Sequence, residues 1–204
     1  MDPLDDVFAA MRLQSALYSR LTPRAPWGVS FVKSASIRFG FMIEGSGWLV
    51  IDGAACPIFL QQGEGFIVQP HTPFSLRDTP TSPTRWCEEV FADNAGEEGR
   101  FGGAGEPADM LCGYLTFDSS GAEPLLSLLP AVVTIPADAT RSPLLEATLK
   151  LLALETIEKN LGSRIVISRL ADVLFVQAIR AHCLREQTRR GWIAALSDAK
   201  LRGV

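Results

Sequence analysis

Glycine, proline and aspartate divide the first part of the chain into short apolar runs, and this pattern restricts the fold more than any other feature of the sequence. The runs begin at about residue 14 and end near residue 118. Two of them are joined by Asp52-Gly53, a dipeptide that is typical of tight hairpins. Many short strands that are broken by turn residues indicate an antiparallel sandwich or barrel. The predicted strands span residues 15–21, 27–32, 37–44, 48–51, 56–60, 66–68, 74–76, 84–91 and 110–117.

Two other segments accompany these strands. Residues 2–11 predict a short opening helix, because Asp2 can cap it and Pro3 suits its first position. Residues 93–107 are rich in glycine and charge and predict a surface loop. Their glycines do not indicate a phosphate loop, since Glu106-Pro107 and a strand follow where such a loop would lead into a helix.

The second part of the chain follows a helical pattern. A turn of helix at 124–129 and a last strand at 132–135 are predicted first. Pro143 follows a serine cap and opens a helix that runs to about residue 160. A second helix is predicted over residues 164–185, with isoleucine, leucine and alanine along one stripe.

This change of pattern predicts two regions, a β domain over residues 1–140 and a helical region over residues 141–204. The two helices carry more leucine, isoleucine and valine than one contact with a sheet needs. The surplus apolar surface predicts a homodimer that is joined through the C-terminal helices.

Charge and composition restrict the classes of function. The 204 residues carry a formal net charge of −4, whereas a DNA-binding surface normally shows a basic excess. The acidic N-terminus lacks the basic start and apolar run of a signal peptide. No stretch reaches the roughly 18 apolar residues that a membrane span needs. The sequence therefore predicts a cytoplasmic protein without a membrane partner.

Cysteine and histidine, which would supply metal ligands, are scarce. Four cysteines are widely spaced and are expected to be free thiols in a reducing compartment. A metal site would have to combine them with His71 or His182 across distant segments. No metal or other cofactor is predicted.

Several segments together resemble the sensor domains of AraC-family transcription regulators. Residues 37–49, followed by Asp52-Gly53, resemble the core hairpin of the cupin-type barrel in these domains, and residues 60–64 and 73–78 resemble the next hairpin. The resemblance implies a cupin-like double-stranded β-helix, or jelly-roll sandwich, followed by an α-helical hairpin. It also implies a small-molecule effector between the sheets. The likeness continues in the expected order at residues 111–114, 128–130, 169–182 and 191–198.

Two departures from the wider cupin pattern bear on function. Metal-binding cupins place two histidines, one residue apart, on the first hairpin and another on the second. Here those hairpins offer Phe39, Gly40, Phe41 and Phe74, which cannot ligate a metal, so no catalytic residue and no enzyme activity are expected. The family's helix-turn-helix modules are expected after the Gly191-Trp192 segment. Promoter DNA is therefore expected to be bound only through a DNA-binding part that these residues do not include.

Five residues are candidates for the effector pocket that the resemblance implies. Each has a plainer explanation, since aromatic side chains fill cores and pack across strands, and His71 falls in a turn. Arg38 could meet an anionic effector, although an isolated strand arginine is usually a solvated charge. The five candidates are Phe41, Trp48, His71, Phe74 and Trp86.

Two other classes of function stay open at this point. One is a small cupin enzyme that acts on a polar metabolite through an unusual metal site. The other is a stand-alone dimerising decoy that pairs with full-length regulators and blocks them. The ligand set for the enzyme would be His71, Cys87, Glu88 and Cys112.

Overall fold

A computed structural model describes residues 13–93, 98–117, 129–137, 143–158 and 160–186. The opening helix predicted at 2–11 and the segment 191–198 lie outside these residues, as does the helical turn at 124–129 apart from Leu129. The predicted boundary between residues 140 and 141 also falls outside them, so the division into two regions stays a prediction.

The described residues form mainly strands, with two long helices near the end of the chain. The strands are β1 (Leu13–Arg24), β2 (Gly28–Phe31), β3 (Ile37–Glu44), β4 (Ser46–Ile51), β5 (Ile58–Gln61), β6 (Gly65–Val68), β7 (Phe74–Arg77), β8 (Arg85–Trp86), β9 (Glu98–Gly102), β10 (Asp109–Phe117) and β11 (Val132–Ile135). The helices are α1 (Cys87–Ala92), α2 (Pro143–Glu158) and α3 (Ser163–Glu186).

The strands are arranged in two sheets that pack face to face. The six-stranded sheet has the order β11-β6-β3-β10-β1-β9, and the five-stranded sheet has the order β5-β4-β7-β2-β8. Most neighbours are antiparallel, whereas β9 on β1 and β8 on β2 are parallel. The predicted fold class, a mainly β sandwich followed by C-terminal helices, is confirmed.

The side chains of β3 alternate between the two faces of the six-stranded sheet, so that the sheet contributes to two cores. Phe39 and Phe41 join a cluster that α2 and α3 complete with Leu152, Phe175 and Ile179. We call this side of the sheet the helix face. Successive side chains of a strand point to opposite faces, so Arg38, Gly40 and Met42 point toward the five-stranded sheet. We call that side the cavity face.

Helices α2 and α3 form a hairpin that covers the helix face. The turn between them contains Gly162, whose φ of 85° lies in the left-handed region that glycine adopts without strain. The hydroxyl of Ser163 donates a hydrogen bond of 2.7 Å to the Glu155 carboxylate and ties the start of α3 to α2. Both helices begin and end close to their predicted limits. Among the described residues, no helix combines the length and the apolar character that crossing a membrane requires.

Two local predictions are wrong, and both concern the segment after β7. The strand predicted at 84–91 is limited to β8, and α1 begins at Cys87 because Cys87 and Val90, one helical turn apart, are both buried. The surface loop predicted at 93–107 contains β9, which pairs in parallel with residues 20–24 of β1. Gly99 makes this position possible, since a Cβ atom there would lie 2.5 Å from Leu21 Cδ2.

Candidate functional site

A cavity of about 500 Å³ lies between the two sheets and opens beside α1. Its walls are contributed by both sheets and by α1, and aromatic residues form the largest group among them. A volume in this range is typical of pockets for small organic molecules. The aromatic side chains that line it from the cavity face, the five-stranded sheet and α1 are Phe31, Phe66, Phe74, Phe91 and Tyr114.

Three of these rings form one rigid wall. Phe31 and Phe74 are stacked, with ring centroids 4.6 Å apart and an interplanar angle of 15°. Phe66 meets Phe74 edge to face at 5.8 Å. Both arrangements are favourable for aromatic pairs, so the wall is held by its own contacts and presents an apolar surface to the cavity.

Gly40, beside this wall, leaves room for the Phe66 ring. Gly40 on β3 lies opposite Phe66 on β6, and a Cβ atom at Gly40 would stand 2.6 Å from Phe66 Cε1 and 3.3 Å from Cys112 Sγ. Any larger residue at position 40 would push Phe66 or Cys112 toward the open space. The size of the cavity therefore depends on Gly40.

Arg38 supplies the cation of the cavity. It lies on β3 between Val68 of β6 and Tyr114 of β10. Its guanidinium carbon stands 5.3 Å from the centroid of the Phe31 ring and 5.8 Å from that of Tyr114. Both distances are within the range of cation–π attraction. Its Nε atom is buried, and no described residue accepts a hydrogen bond from it.

Two thiols, the Ser19 hydroxyl and one carboxylate add to the polar lining. Burial raises the pKa of Cys87 to about 12 and also raises the pKa of Cys112 well above its usual range. Both thiols are thus uncharged near neutral pH. Glu88 is exposed where α1 borders the cavity.

The structure separates the five predicted pocket residues. Phe74 lines the cavity. Phe41 lies on the helix face, and Trp48 packs against Phe59, with centroids 4.9 Å apart, on the outer surface of the five-stranded sheet. His71 is exposed in a turn with a φ of 62°, and Trp86 is 50% exposed just before α1. As ligand contacts, all five stay predictions.

Within the described residues, no three His, Cys, Asp or Glu side chains converge in an arrangement that could hold a metal ion. Of the ligand set considered for an enzyme, Cys87, Glu88 and Cys112 do border the cavity, while His71 does not. The two thiols would have to lose protons that burial holds on them. The five candidates do not include Phe31, Phe66, Phe91 or Tyr114. Tyr114 lies at a cavity-face position of β10 that alternation along the strand could have indicated.

The family model for cupins matches residues 2–184. The chain belongs to the cupin family. A relative from Streptomyces lividans is 28% identical over 200 residues, which is 97% of this chain and 65% of the relative. Another from Streptomyces antibioticus is 29% identical over 201 residues, with the same coverage. Both are provisionally described as AraC-like transcription regulators, so the resemblance predicted from the sequence is confirmed.

The cupin chain spans just under two-thirds of the length of these relatives. A solved structure of ToxT from Vibrio cholerae with unsaturated fatty acid bound is 11% identical, covers 91% of this chain and 60% of its own, and gives a TM-score of 0.46.

Proposed function

We propose that this cupin chain is the effector-sensing and dimerising part of an AraC-type transcription regulator. A small molecule occupies the cavity, and α2 and α3 join two copies. The observation that carries the proposal is the cavity of about 500 Å³ with aromatic walls, built into a chain whose relatives are described as regulators. The relatives extend beyond the matched region, and we assign promoter binding to that remaining part. Such a regulator acts in the cytoplasm, where its promoter lies.

Exposed apolar side chains on the helical hairpin support the dimer. Isolated exposed leucines are ordinary, but several on one pair of helices form the kind of surface that subunit interfaces bury. A stable symmetric interface would bury about 1,200 Å² or more in total. The large apolar side chains that the two helices and their connecting turn expose by more than two-fifths are Leu144, Leu151, Leu154, Leu161, Ile165, Val166 and Val173.

An effector screen tests the sensing role. Small molecules that raise the melting temperature of the chain would be added to the complete regulator, and promoter binding would be followed by gel shift. Cys112→Leu places extra side-chain atoms in the cavity and should abolish the thermal shift. Cys56→Leu is the matched control, since Cys56 is an exposed thiol away from the cavity, and it should respond like the wild type. An effector that acts equally on both variants would contradict the proposal.

Sedimentation equilibrium tests the dimer. Leu151 and Leu154 lie three residues apart on α2 and are 50% and 52% exposed. Replacing both with glutamate should convert the dimer to a monomer, because two charges would be buried without partners. Val32→Glu is the control, since Val32 is 44% exposed outside the helices, and it should stay dimeric. A wild-type monomer at tens of micromolar would remove the dimerising role.

The proposal treats the chain as a binding domain and not as an enzyme. The cupin-enzyme alternative requires a transition metal at catalytic positions. Elemental analysis of the purified protein separates the two, since about one tightly held metal ion per chain after dialysis against a chelator would favour the enzyme.

A further inference from the structure

Arg38 differs from the other strand arginines whose contacts the structure describes. Arg20 forms a two-point ion pair with Asp109, through Nε at 2.9 Å and Nη2 at 2.5 Å. The others donate to carboxylates, a hydroxyl or backbone carbonyls. These partners are Gly105 O for Arg24, Ser75 Oγ and two backbone carbonyls for Arg77, Asp93 for Arg85, and Glu98 for Arg100. The guanidinium of Arg38 lies over two aromatic rings, and its Nε finds no acceptor among the described residues.

A buried guanidinium nitrogen without an acceptor, such as Nε of Arg38, is unfavourable, because the hydrogen bond that it made in water is lost and not replaced. Cation–π contacts compensate part of this loss and leave the Nε–H group without an acceptor among the described residues. The described acidic residue that lines the same cavity is Glu88, which is exposed at the rim and forms no described ion pair with Arg38. The position therefore suits a negatively charged group that arrives from solution.

We propose that the cavity binds an organic anion with an apolar body, and that Arg38 anchors its anionic head. This inference rests on the proposed function, since it names the chemical class of the effector. A carboxylate is the favoured head group, because two oxygens can accept two parallel N–H bonds from one guanidinium.

Most of the remaining lining is apolar or uncharged and selects the body of the ligand, with the hydroxyls of Ser19 and Tyr114 as polar groups beside it. Phe31, Phe66 and Phe74 offer ring faces and edges, and the two thiols are uncharged near neutral pH because burial raises the pKa of each. None of these groups compensates for the loss of hydration of a sugar or another polyhydroxylated molecule. Aromatic acids and medium-chain fatty acids share the required chemistry, an anion at one end and an apolar body at the other.

A matched pair of fluorescent probes tests the anchor. Anilinonaphthalene sulfonate carries an anionic head on an aromatic body, and phenylnaphthylamine has the same ring skeleton without the sulfonate. Each would be titrated against the wild-type chain and against Arg38→Met, Arg38→Lys and Arg100→Met. Arg100 is the control, because it is an exposed strand arginine away from the cavity. Cys112→Leu locates the site, since extra side-chain atoms in the cavity should interfere with the binding of both probes.

We expect the wild type and Arg100→Met to bind the sulfonate more tightly than the neutral probe. Arg38→Met should weaken sulfonate binding about ten- to a hundredfold and leave the neutral probe unaffected, as expected for loss of hydrogen bonds to a charged group. The affinity of Arg38→Lys for the sulfonate should lie between those of the wild type and Arg38→Met, because lysine keeps the charge but cannot donate two parallel N–H bonds. Competition by decanoate or naphthoate, but not by the corresponding alcohols, would extend the result to carboxylates. The relative strength of the two competitors distinguishes fatty from aromatic bodies.

The outcomes separate the two proposals. If Arg38→Met and Arg38→Lys keep the wild-type preference for the sulfonate, the anchor is wrong, while a cavity that Cys112→Leu blocks still supports effector binding. If the neutral probe binds the wild type at least as tightly as the sulfonate does, the proposed class of effector is wrong, while binding of an effector in the cavity is still supported. If neither probe nor any competitor binds the wild type, both the anchor and the sensing cavity are overturned.

Discussion

The helix face and the cavity face of the six-stranded sheet carry similar aromatic side chains, yet the space left above them differs greatly. On the helix face, the space between the sheet and α3 is a void of about 10 Å³. On the cavity face, about 500 Å³ stays open beneath the five-stranded sheet. Aromatic content alone therefore does not determine whether a face is packed or hollow. The shape of the opposing layer decides it.

Two glycine–phenylalanine pairs show how alike the two faces are locally. Gly65 accommodates the Phe41 ring on the helix face, where a Cβ atom would lie 2.5 Å from Phe41 Cδ1. Gly40 does the same for Phe66 on the cavity face. The difference comes from what lies above. Helix α3 supplies Leu174, Phe175 and other side chains that fit between those of the sheet, whereas two sheets pack about 10 Å apart and leave space wherever the inner residues are small.

The largest test of this comparison removes one ring from each face. Phe41→Ala should lower the free energy of unfolding by about 3–5 kcal/mol, because it leaves a hole in a filled core. Phe74→Ala should lower it by only about 2 kcal/mol, because that ring already borders open space on one side. Urea denaturation of both variants measures the two losses. Equal losses would mean that the two faces are packed alike in solution.

A second test adds atoms to each face. Ala178→Leu on α3 places a larger side chain against the small void of the helix face, and overpacking should lower the free energy of unfolding by about 1–3 kcal/mol. Cys112→Leu adds its atoms to the cavity and should change stability by less than about 1 kcal/mol. Thermal and urea unfolding of the pair give the comparison. A larger loss for Cys112→Leu than for Ala178→Leu would show that the cavity is closed in solution.

The sequence pattern predicts the strands of the six-stranded sheet but not which face of the sheet borders a cavity. Residues 37–44 were correctly assigned to a strand, and strict alternation puts Arg38 and Phe41 on opposite faces. The sequence predicts Phe41 as a pocket residue because it is aromatic, whereas the structure places it beneath the helices. The choice of face depends on which layer covers the sheet, and that layer comes from residues more than a hundred positions later in the chain.

Local pattern also failed where pairing is long-range. Residues 98–102 contain two glycines and look like a loop, yet they form β9 because β1 offers an unpaired edge. Cys87–Ala92 reads as a continuation of a strand, and burial of Cys87 and Val90 turns it into α1. Helix α1 borders the entrance of the cavity, and β9 packs against α1 through Gly99. The site was therefore less predictable than the sheets, since its rim is built from the segments whose local sequence is least decisive.

The smallest expected effect concerns whether the interior of the cavity face is dry. Burial holds the pKa of Cys87 at about 12, against 9.0 for an ordinary thiol, so the folded state keeps a proton that the unfolded state releases. Stability is thus unaffected below pH 9 and falls as the pH rises from 9 toward 12, because the unfolded chain ionises first.

At pH 10, one such thiol should lower the free energy of unfolding by about 1 kcal/mol relative to pH 8. Urea denaturation at the two pH values measures it, and Cys87→Ala should show a smaller loss than the wild type. Cys56→Ala is the control, because Cys56 is exposed, and its profile should match the wild type. If Cys87→Ala also matches the wild type, the thiol is solvated, and water fills the cavity as far as α1. A smaller loss of stability in Cys87→Ala would instead show that the interior of the cavity is dry. A dry, apolar cavity is what a ligand with an apolar body requires.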